Sequence, residues 1–521
     1  MKHKLLYTAF FILFLQNSFS QTVTLDPTFG TGGKVTHPFS PNGDALNTIA
    51  IQQDGKILLS SLTQFSLSGN VIISRFNSDG SLDLDFGVNG IVATQLVTET
   101  GGINLMKLQN DGKILITSSK SINSNLDNFD FATMRYNIDG SVDTSFGTNG
   151  IVITDFGGKG DIATVVDIQS DNKIIVAGYS YFNSNQNAYV SMVRYLSNGT
   201  IDTTFGSNGG LALPLLASNS HDYTQCVKVL PNDNIIIGAD TTALETMQDY
   251  YNFGVFKILS NGTIDTSFGN NGTVINDFGA KEHIGAVNEY DGKIIASGYS
   301  NFAGGSKIAI AKYSANGTLD TTFGLNGIFY GNRNTSNLYD AVLGMKMLNN
   351  GKMLFTGYTL NATNADFMLI QFNVDGTLDT GFNNNGYFLT DFSGTNDLSA
   401  AIDIGVDGKI VCAGLTTISS NYVTALVRYD LNNLSNSFFT NDKFSVYPNP
   451  FSESITIESK DVNLQNATIE LYDSIGRKLS NATANESAYF NIPINKNLSK
   501  GTYFLKITNE GKTETVKMIK K

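Results

Sequence analysis

Apolar and polar residues alternate along the chain in short runs closed by turn dipeptides, and no stretch shows the three-to-four-residue spacing of an amphipathic helix. One recurring run leads into Asp-Gly-Lys-Ile or a variant, from Ile49 and then at Asp111, Asp171, Asn232, Asp291, Asn350 and Asp407. A second ends in a basic residue and an aromatic, at Arg75-Phe76, Arg135-Tyr136, Arg194-Tyr195, Lys312-Tyr313 and Arg428-Tyr429, with Lys257-Ile258 and Gln371-Phe372 as looser copies. A third is a phrase such as the one from Asp139 to Val152, whose phenylalanine recurs as Phe29, Phe86, Phe146, Phe205, Phe268, Phe323 and Phe382, spaced 57, 60, 59, 63, 55 and 59 residues apart. Each unit reads as strand a, a tight turn, strand b, a longer loop, strand c, an Asp-Gly or Asn-Gly turn, and strand d carrying the phrase. Both tight turns are expected as two-residue hairpins, because Asn and Gly tolerate positive φ.

Four antiparallel strands every ~60 residues predict an all-β chain of propeller blades. The phrase at Leu25 precedes any a, b or c strand, while the last c strand, ending near Asp430, has no d strand after it. The expectation is a seven-bladed β-propeller over 22–430, closed by pairing residues near Leu25 to Val35 with the strand around Val427 to Tyr429, which hides two open edges. The phrase phenylalanine is predicted as the core residue between blades. Asp143, Asp202, Asp265 and Asp320 are read as turn carboxylates accepting backbone N–H bonds, since the phrase lacks calcium-loop spacing.

The chain opens with two lysines, an apolar run from Leu5 to Leu15, and Ser18 and Ser20, the pattern of a secretory signal peptide over 1–20. No other segment is long and apolar enough to span a bilayer as a helix, so none is expected in the mature chain. Cys226 and Cys412 fall in non-adjacent repeats, too far apart to bridge, and are read as buried free thiols. A net charge of −12 and a pI near 4.8 disfavour nucleic acid and anionic lipid as partners.

After a polar linker at 431–443 the pattern changes. From Phe444 to Lys521 short alternating strands suit a small β-sandwich. Here Tyr447-Pro448-Asn449-Pro450, the strand pair from Ile469 to Leu479, Gly501-Thr502-Tyr503-Phe504-Leu505 and the basic Lys517, Lys520 and Lys521 closely resemble the type A C-terminal sorting domain of the type IX secretion system of Bacteroidota. The resemblance implies export to the outer cell surface or medium, with the translocon and a sortase-like peptidase as partners and a surface lipopolysaccharide as candidate anchor. Residues 25–430 resemble the bacterial delta-60 repeat, which implies a propeller and no particular activity.

The a–b and c–d turns belong to one face of such a disc, the b–c and d–a connections to the other. The second set reads as long and variable, and variable loops on a rigid scaffold are where recognition usually resides. Candidate ligand-binding aromatics there are Tyr181, Phe182, Tyr250, Tyr251, Phe302 and Tyr422. Counting thirteen residues back from each strand b start gives Asp44, Gly101, Asp161, Asp222, Lys281, Asp340 and Asp397, an acidic collar at the channel mouth, thickened by Asp155, Asp277 and Asp391. The collar is read first as satisfying backbone donors and second as a ligand or calcium site; no other cofactor and no metal centre is expected. His221, Asp222, Glu282 and His283 form the one mixed cluster suited to acid–base work. Deeper in strand a, Lys107, Asp167, Lys228, Lys346 and Asp403 share a register and read as ion pairs bracing the channel. No nucleophile elbow, metalloprotease or phosphate-loop motif is present. The chain is therefore read as an exported, non-enzymatic binding or adhesion propeller for a glycan or surface protein, against a surface hydrolase or lyase and a purely structural array.

Overall fold

The computed structural model describes residues 21–63, 69–98, 105–121, 129–157, 160–181, 188–213, 221–242, 251–333, 339–360, 364–433, 444–447, 451, 454–459, 464–473, 478–484, 489–493, 498, 501–509 and 512–520. The expected signal peptide, Phe182, Tyr250, Gly101, Pro448, Asn449, Pro450 and Lys521 lie outside them. Two compact units divide between Asn432 and Asn433. All regular structure among the described residues is strand.

In the first unit, repeats three to six each form one four-stranded antiparallel sheet, such as Gly160–Ile168, Ile174–Tyr181, Ala188–Tyr195 and Gly210–Leu213. Repeats one and two share an eight-stranded sheet, because strand d of repeat one runs long, Ile91–Thr98, and pairs Val97 with Ser119 of repeat two. Strand c of repeat seven, Asn421–Asn433, takes both N-terminal strands, Gln21–Leu25 and Lys34–His37, the latter in the register Lys34 to Val427 and His37 to Thr424. The closure extends into repeat six, where Gln21 N–H donates to Gly381 O at 2.7 Å and Asn383 N–H donates to Gln21 O at 2.6 Å.

Three local expectations change. The phrase is not carried on strand d: its residues form consecutive turns, and a separate strand follows, as Ile151–Thr154 does after Phe146. Most a–b turns are not two-residue hairpins. In repeat one Gln52 N–H bonds Lys56 O across three residues with only Gly55 at positive φ (82°), a type I turn with a glycine bulge. Repeat five alone uses the two-residue form, Tyr290 pairing Lys293 around Asp291 and Gly292 at φ 53° and 72°. Nor are all b–c loops long: in repeats five and seven the strands continue to two-residue turns, Phe302 pairing Gly305 and Ile418 pairing Asn421, because Gly304, Ser419 and Ser420 adopt positive φ. The b–c segments 64–68, 122–128, 182–187, 243–250 and 361–363 lie outside the described residues.

The three recurring sequence pieces converge on one cluster per repeat. In repeat two, Asp143 Oδ2 accepts Arg135 Nε at 2.7 Å and Lys113 Nζ at 2.8 Å, while Oδ1 accepts Ser145 N at 3.1 Å and Ser145 Oγ at 2.6 Å. The Arg135 guanidinium lies 4.6 Å from the centre of the Phe146 ring and donates through Nη1 to Ser197 O in repeat three. That next turn also accepts Gly147 N–H at Asn198 O (2.8 Å), and a Cβ on its Gly199 would stand 2.9 Å from Phe146, so the turn sits on the ring only because glycine is there. Equivalent clusters join Asp26, Arg428 and Lys409; Asp83, Arg75 and Lys56; and Asp202, Arg194 and Lys173. Repeat six substitutes Gln371, whose Nε2 still reaches Asp379 at 2.6 Å. All seven phrase phenylalanines are fully buried, as expected. The Asp side chains do accept turn N–H bonds, but their larger role is to clamp consecutive repeats.

The second unit has a three-stranded sheet of Phe444–Tyr447, Ser454–Ser459 and Tyr489–Pro493, and a four-stranded sheet of Lys478–Thr483, Thr468–Asp473, Gly501–Asn509 and Lys512–Lys520. Ile455, Ile457, Ile469, Leu471, Ile492, Leu505 and Ile507 from both sheets share one core. Of the sorting-motif residues described, Tyr447 lies in the first strand and Gly501 opens the strand that carries Tyr503. Tyr503 is buried edge-on against Phe451 at 5.9 Å, and Lys520 Nζ sits 5.5 Å from the same ring.

Candidate functional site

The collar carboxylates face structure rather than the open mouth. Asp44, Asp222, Asp340 and Asp397 have no exposed surface and Asp161 almost none. Asp44 accepts Ser40 N at 2.9 Å and Thr424 N at 3.1 Å; Asp397 accepts Phe392 N and Thr416 Oγ1, both at 2.6 Å. Asp161 accepts Phe156 N at 2.8 Å, Asp340 accepts Arg333 N at 2.8 Å and Arg333 Nη1 at 2.6 Å, and Asp222 accepts the Thr241 hydroxyl. Asp44, Asp161, Asp340 and Asp397 thus tie a d–a loop to the entrance of strand a, while Asp222 is joined to the end of strand b.

In repeat five the collar position belongs to Glu282 and not to Lys281. The shorter two-residue turn removes one residue from the count, so Glu282 pairs with Ser300 as Asp222 pairs with Thr241. Glu282 accepts Ala280 N at 3.0 Å and Ser300 Oγ at 3.1 Å, and burial pushes its carboxyl up to about 7. The expected acid–base cluster therefore separates: Asp222 and Glu282 turn into the collar, whereas His221 and His283 remain at the mouth.

His283 instead meets Asp240, a residue the sequence reading passed over. Its Nδ1 lies 2.9 Å from Asp240 Oδ2, while Asp240 Oδ1 accepts Ile284 N at 2.8 Å and Oδ2 also accepts Gln225 Nε2 at 3.1 Å. Asp240 is buried, and burial raises its carboxyl above the usual range despite the imidazole beside it. The available signal was a carboxylate inside the apolar run from Ile235 to Thr241, at the strand b position where repeats three, five and six carry Tyr179, Tyr299 and Tyr358.

Around this pair the mouth of repeats three to five is aromatic. Tyr181 meets Tyr179 (5.6 Å between ring centres), Tyr179 meets Tyr223 (5.0 Å), Tyr223 meets Tyr251 (5.8 Å), and His283 lies 6.2 Å from Tyr251 and 5.1 Å from Tyr299. His221 stacks near Tyr223 at 6.1 Å, and Lys281 Nζ lies 5.2 Å from the Tyr251 ring centre. Burial, with Tyr181 and Tyr251 adjacent, raises the Tyr223 phenol above its ordinary range. On the same face, Phe302 ends strand b of repeat five beneath Lys307 (5.2 Å), and Tyr422 in repeat seven gives its backbone O to Asp44 N at 2.9 Å.

Strand a residues line a channel cavity of about 290 Å³. Lys107 pairs with Asp167 at 2.7 Å and Lys346 with Asp403 at 2.8 Å, as the alternating signs suggested. Lys228 has no ion pair among the described residues, and burial holds its ammonium below the usual value.

Residues 445–521 match a family described as a secretion system C-terminal sorting domain. Six segments, 52–86, 109–146, 169–205, 291–323, 348–382 and 407–432, match a β-propeller family described as a domain of unknown function, DUF5122. No curated protein matches the chain. Among solved structures, a polysaccharide lyase family 25 ulvan lyase is 11% identical, with 76% of this chain and 96% of that one covered, at a TM-score of 0.48. The polysaccharide lyase Uly1 is 12% identical, covering 75% and 90%, at 0.45; a virginiamycin B lyase from Staphylococcus aureus is 10% identical, covering 76% and 98%, at 0.42.

Proposed function

Starting from a chain that carries a DUF5122-type β-propeller and a type IX secretion sorting domain, and is thereby exported to the cell surface or medium, we propose that the propeller is a binding module whose mouth face takes a glycan. The observation that carries this reading is the run of half-buried rings Tyr181, Tyr223, Tyr251, His283 and Tyr299, packed together through the buried Tyr179 and spanning three consecutive repeats. Flat aromatic surfaces beside hydroxyl, imidazole and ammonium groups suit the mixed apolar and polar faces of a sugar ring. The opposite face offers no such variety, because its recurring charges are consumed by the clamps.

Polysaccharide binding by the intact protein, measured by affinity electrophoresis against neutral and acidic glycans, tests this. Tyr181→Ala and Tyr251→Ala should each weaken retention about tenfold while Asp54→Asn and Asp111→Asn leave it unchanged. Loss of retention in the turn-face variants alone would move the site to the other face.

The Asp240–His283 pair favours a second reading, a surface lyase or hydrolase. Asp240 orients the imidazole through Nδ1, leaving Nε2 to take a proton from a bound sugar, with the Tyr251 or Tyr299 phenol near enough to act as acid. Release of new reducing ends from a polysaccharide, abolished by His283→Ala, would establish it.

A further inference from the structure

We infer that Asp130, Asp155 and Asp161 form a calcium site at the mouth end of the junction between repeats two and three. Asp130 opens strand c of repeat two, Phe129–Tyr136; Asp155 lies in the following d–a connection; Asp161 begins strand a of repeat three, Gly160–Ile168. One carboxylate oxygen from each falls within 4.8 Å of the others. Three oxygens no more than 4.8 Å from one another share a centre at most about 2.8 Å from each, so small side-chain movements bring all three to calcium's ~2.3–2.6 Å bonding distance.

Crowded carboxylates alone would not make a site; what singles this one out is the state of Asp130. The residue is 6% exposed, yet its carboxylate has no hydrogen-bond or ion-pair partner among the described residues, and what faces it are the two other carboxylates. Lys120, opposite Asp130 in the strand register, makes no ion pair with it. Asp161 receives the neutral Phe156 amide and faces Ser180 across the strand pair, and Asp155 receives Gly157 N at 2.5 Å. Nothing cationic in the described structure offsets three converging negative groups, and a buried charged group without a partner is rare in native proteins.

The chain contains its own control. Asp366, Asp391 and Asp397 occupy the same three positions between repeats six and seven, also within 4.8 Å. There each carboxylate has donors: Asn364 Nδ2 reaches Asp366 at 3.3 Å, Phe392 N and Thr416 Oγ1 reach Asp397 at 2.6 Å, Thr395 Oγ1 reaches it at 3.4 Å, and Gly394 N reaches Asp391 Oδ1 at 2.5 Å. The same backbone frame thus gives the strand c carboxylate a donor at one junction, Asn364 on Asp366, whereas at the other Asp130 has none among the described residues. Exposed Asp155 gives a solvent path to the first site. Hard carboxylate oxygens brought from three separate elements favour calcium over magnesium, which holds to tighter octahedral geometry. The site is independent of whether the mouth binds glycan.

Thermal unfolding of the full chain at pH 7.5, stripped with EDTA and titrated with calcium chloride, tests it. The melting temperature should rise with a half-effect near 0.1–1 mM calcium, the range of extracellular modules, and rise less with magnesium. Asp130→Asn and Asp155→Asn should each remove the rise, and Asp366→Asn should keep it. Asp155→Asn decides the matter if Asp130→Asn does not fold, since Asp155 is exposed. A melting temperature indifferent to 10 mM calcium, or a rise undiminished in Asp155→Asn, overturns the assignment.

Discussion

Removing the phrase carboxylate in one repeat should cost far more than removing a turn carboxylate a few residues away. Asp143→Ala deletes the group that holds both Arg135 (2.7 Å) and Lys113 (2.8 Å), and leaves the 6% exposed Arg135 with a carbonyl and the face of Phe146. Breaking a buried ion pair by removing one partner costs about 3–5 kcal/mol, since the remaining charge is uncompensated. Asp139→Ala loses two bonds to Ser141, at 2.9 and 2.7 Å, in an exposed turn, worth about 0.5–1.5 kcal/mol. Arg135→Gln should fall between, because repeat six shows that a glutamine can still reach the carboxylate while lysine keeps its bond, with Lys352 at 2.6 Å from Asp379. Urea unfolding at pH 7 gives the ranking, and the double variant Arg135→Met, Asp143→Ala should recover at least half of the single-variant loss, since no charge is then stranded. If Asp143→Ala lies within about 1 kcal/mol of Asp139→Ala, the clamp is not what joins the repeats.

Acid should dismantle the same clusters. Asp320 is held down to about 2, chiefly by the Lys293 ammonium, and Asp26, Asp83, Asp143, Asp202 and Asp265 also lie below the usual range. With folded values depressed, their contribution is complete above the unfolded value near 4 and is lost as pH falls toward 2; a melting temperature flat across that window would contradict it. Glu282 has the opposite sign: its value is raised to about 7 by burial, so the folded state loses stability as pH climbs from about 4.5 to 7. Glu282→Gln, which mimics the protonated acid, should match the parent at pH 4.5 and exceed it at pH 8 by up to about 3 kcal/mol in denaturant titrations. Cys226 and Cys412 are buried and free, with burial raising both thiols, Cys412 to about 12; a thiol reagent should label neither in the native protein and both after unfolding without reductant.

The architecture was legible because each repeated residue makes the same contact each time. Period, strand count, the buried phenylalanine and N-terminal closure all follow from recurrence and alternation. What recurrence concealed was cooperation among the pieces: Lys113, Arg135 and Asp143 were visible as separate motifs, but only the strand register brings them together. A one-residue difference in turn type was enough to misplace the collar in repeat five, since side chains change face with every residue of a strand. The site was harder still. His221 and His283 stood out by type, but Asp240 is distinguished only by what its equivalents are, and its meeting with His283 crosses from one repeat to the next.

The same contrast separates scaffold from function within the molecule. A residue present in nearly every repeat meets an obligation every blade has, which is to join the next one: the phrase aspartate, its arginine or lysine and the turn glycine do this on the face of the tight turns. A residue present once answers no such demand. His283 with Asp240, and a junction of three carboxylates where Asp130 has no donor among the described residues, are single events on the mouth face. Burying Asp240 and leaving Asp130 without a partner both cost stability that the other repeats do not give up. Such costs in a repetitive scaffold collect at functional positions, and here both lie where the connections vary and the tyrosines gather. Ligand and cation are therefore expected at the mouth, on neighbouring repeats, while on the opposite face the recurring clamps join one repeat to the next.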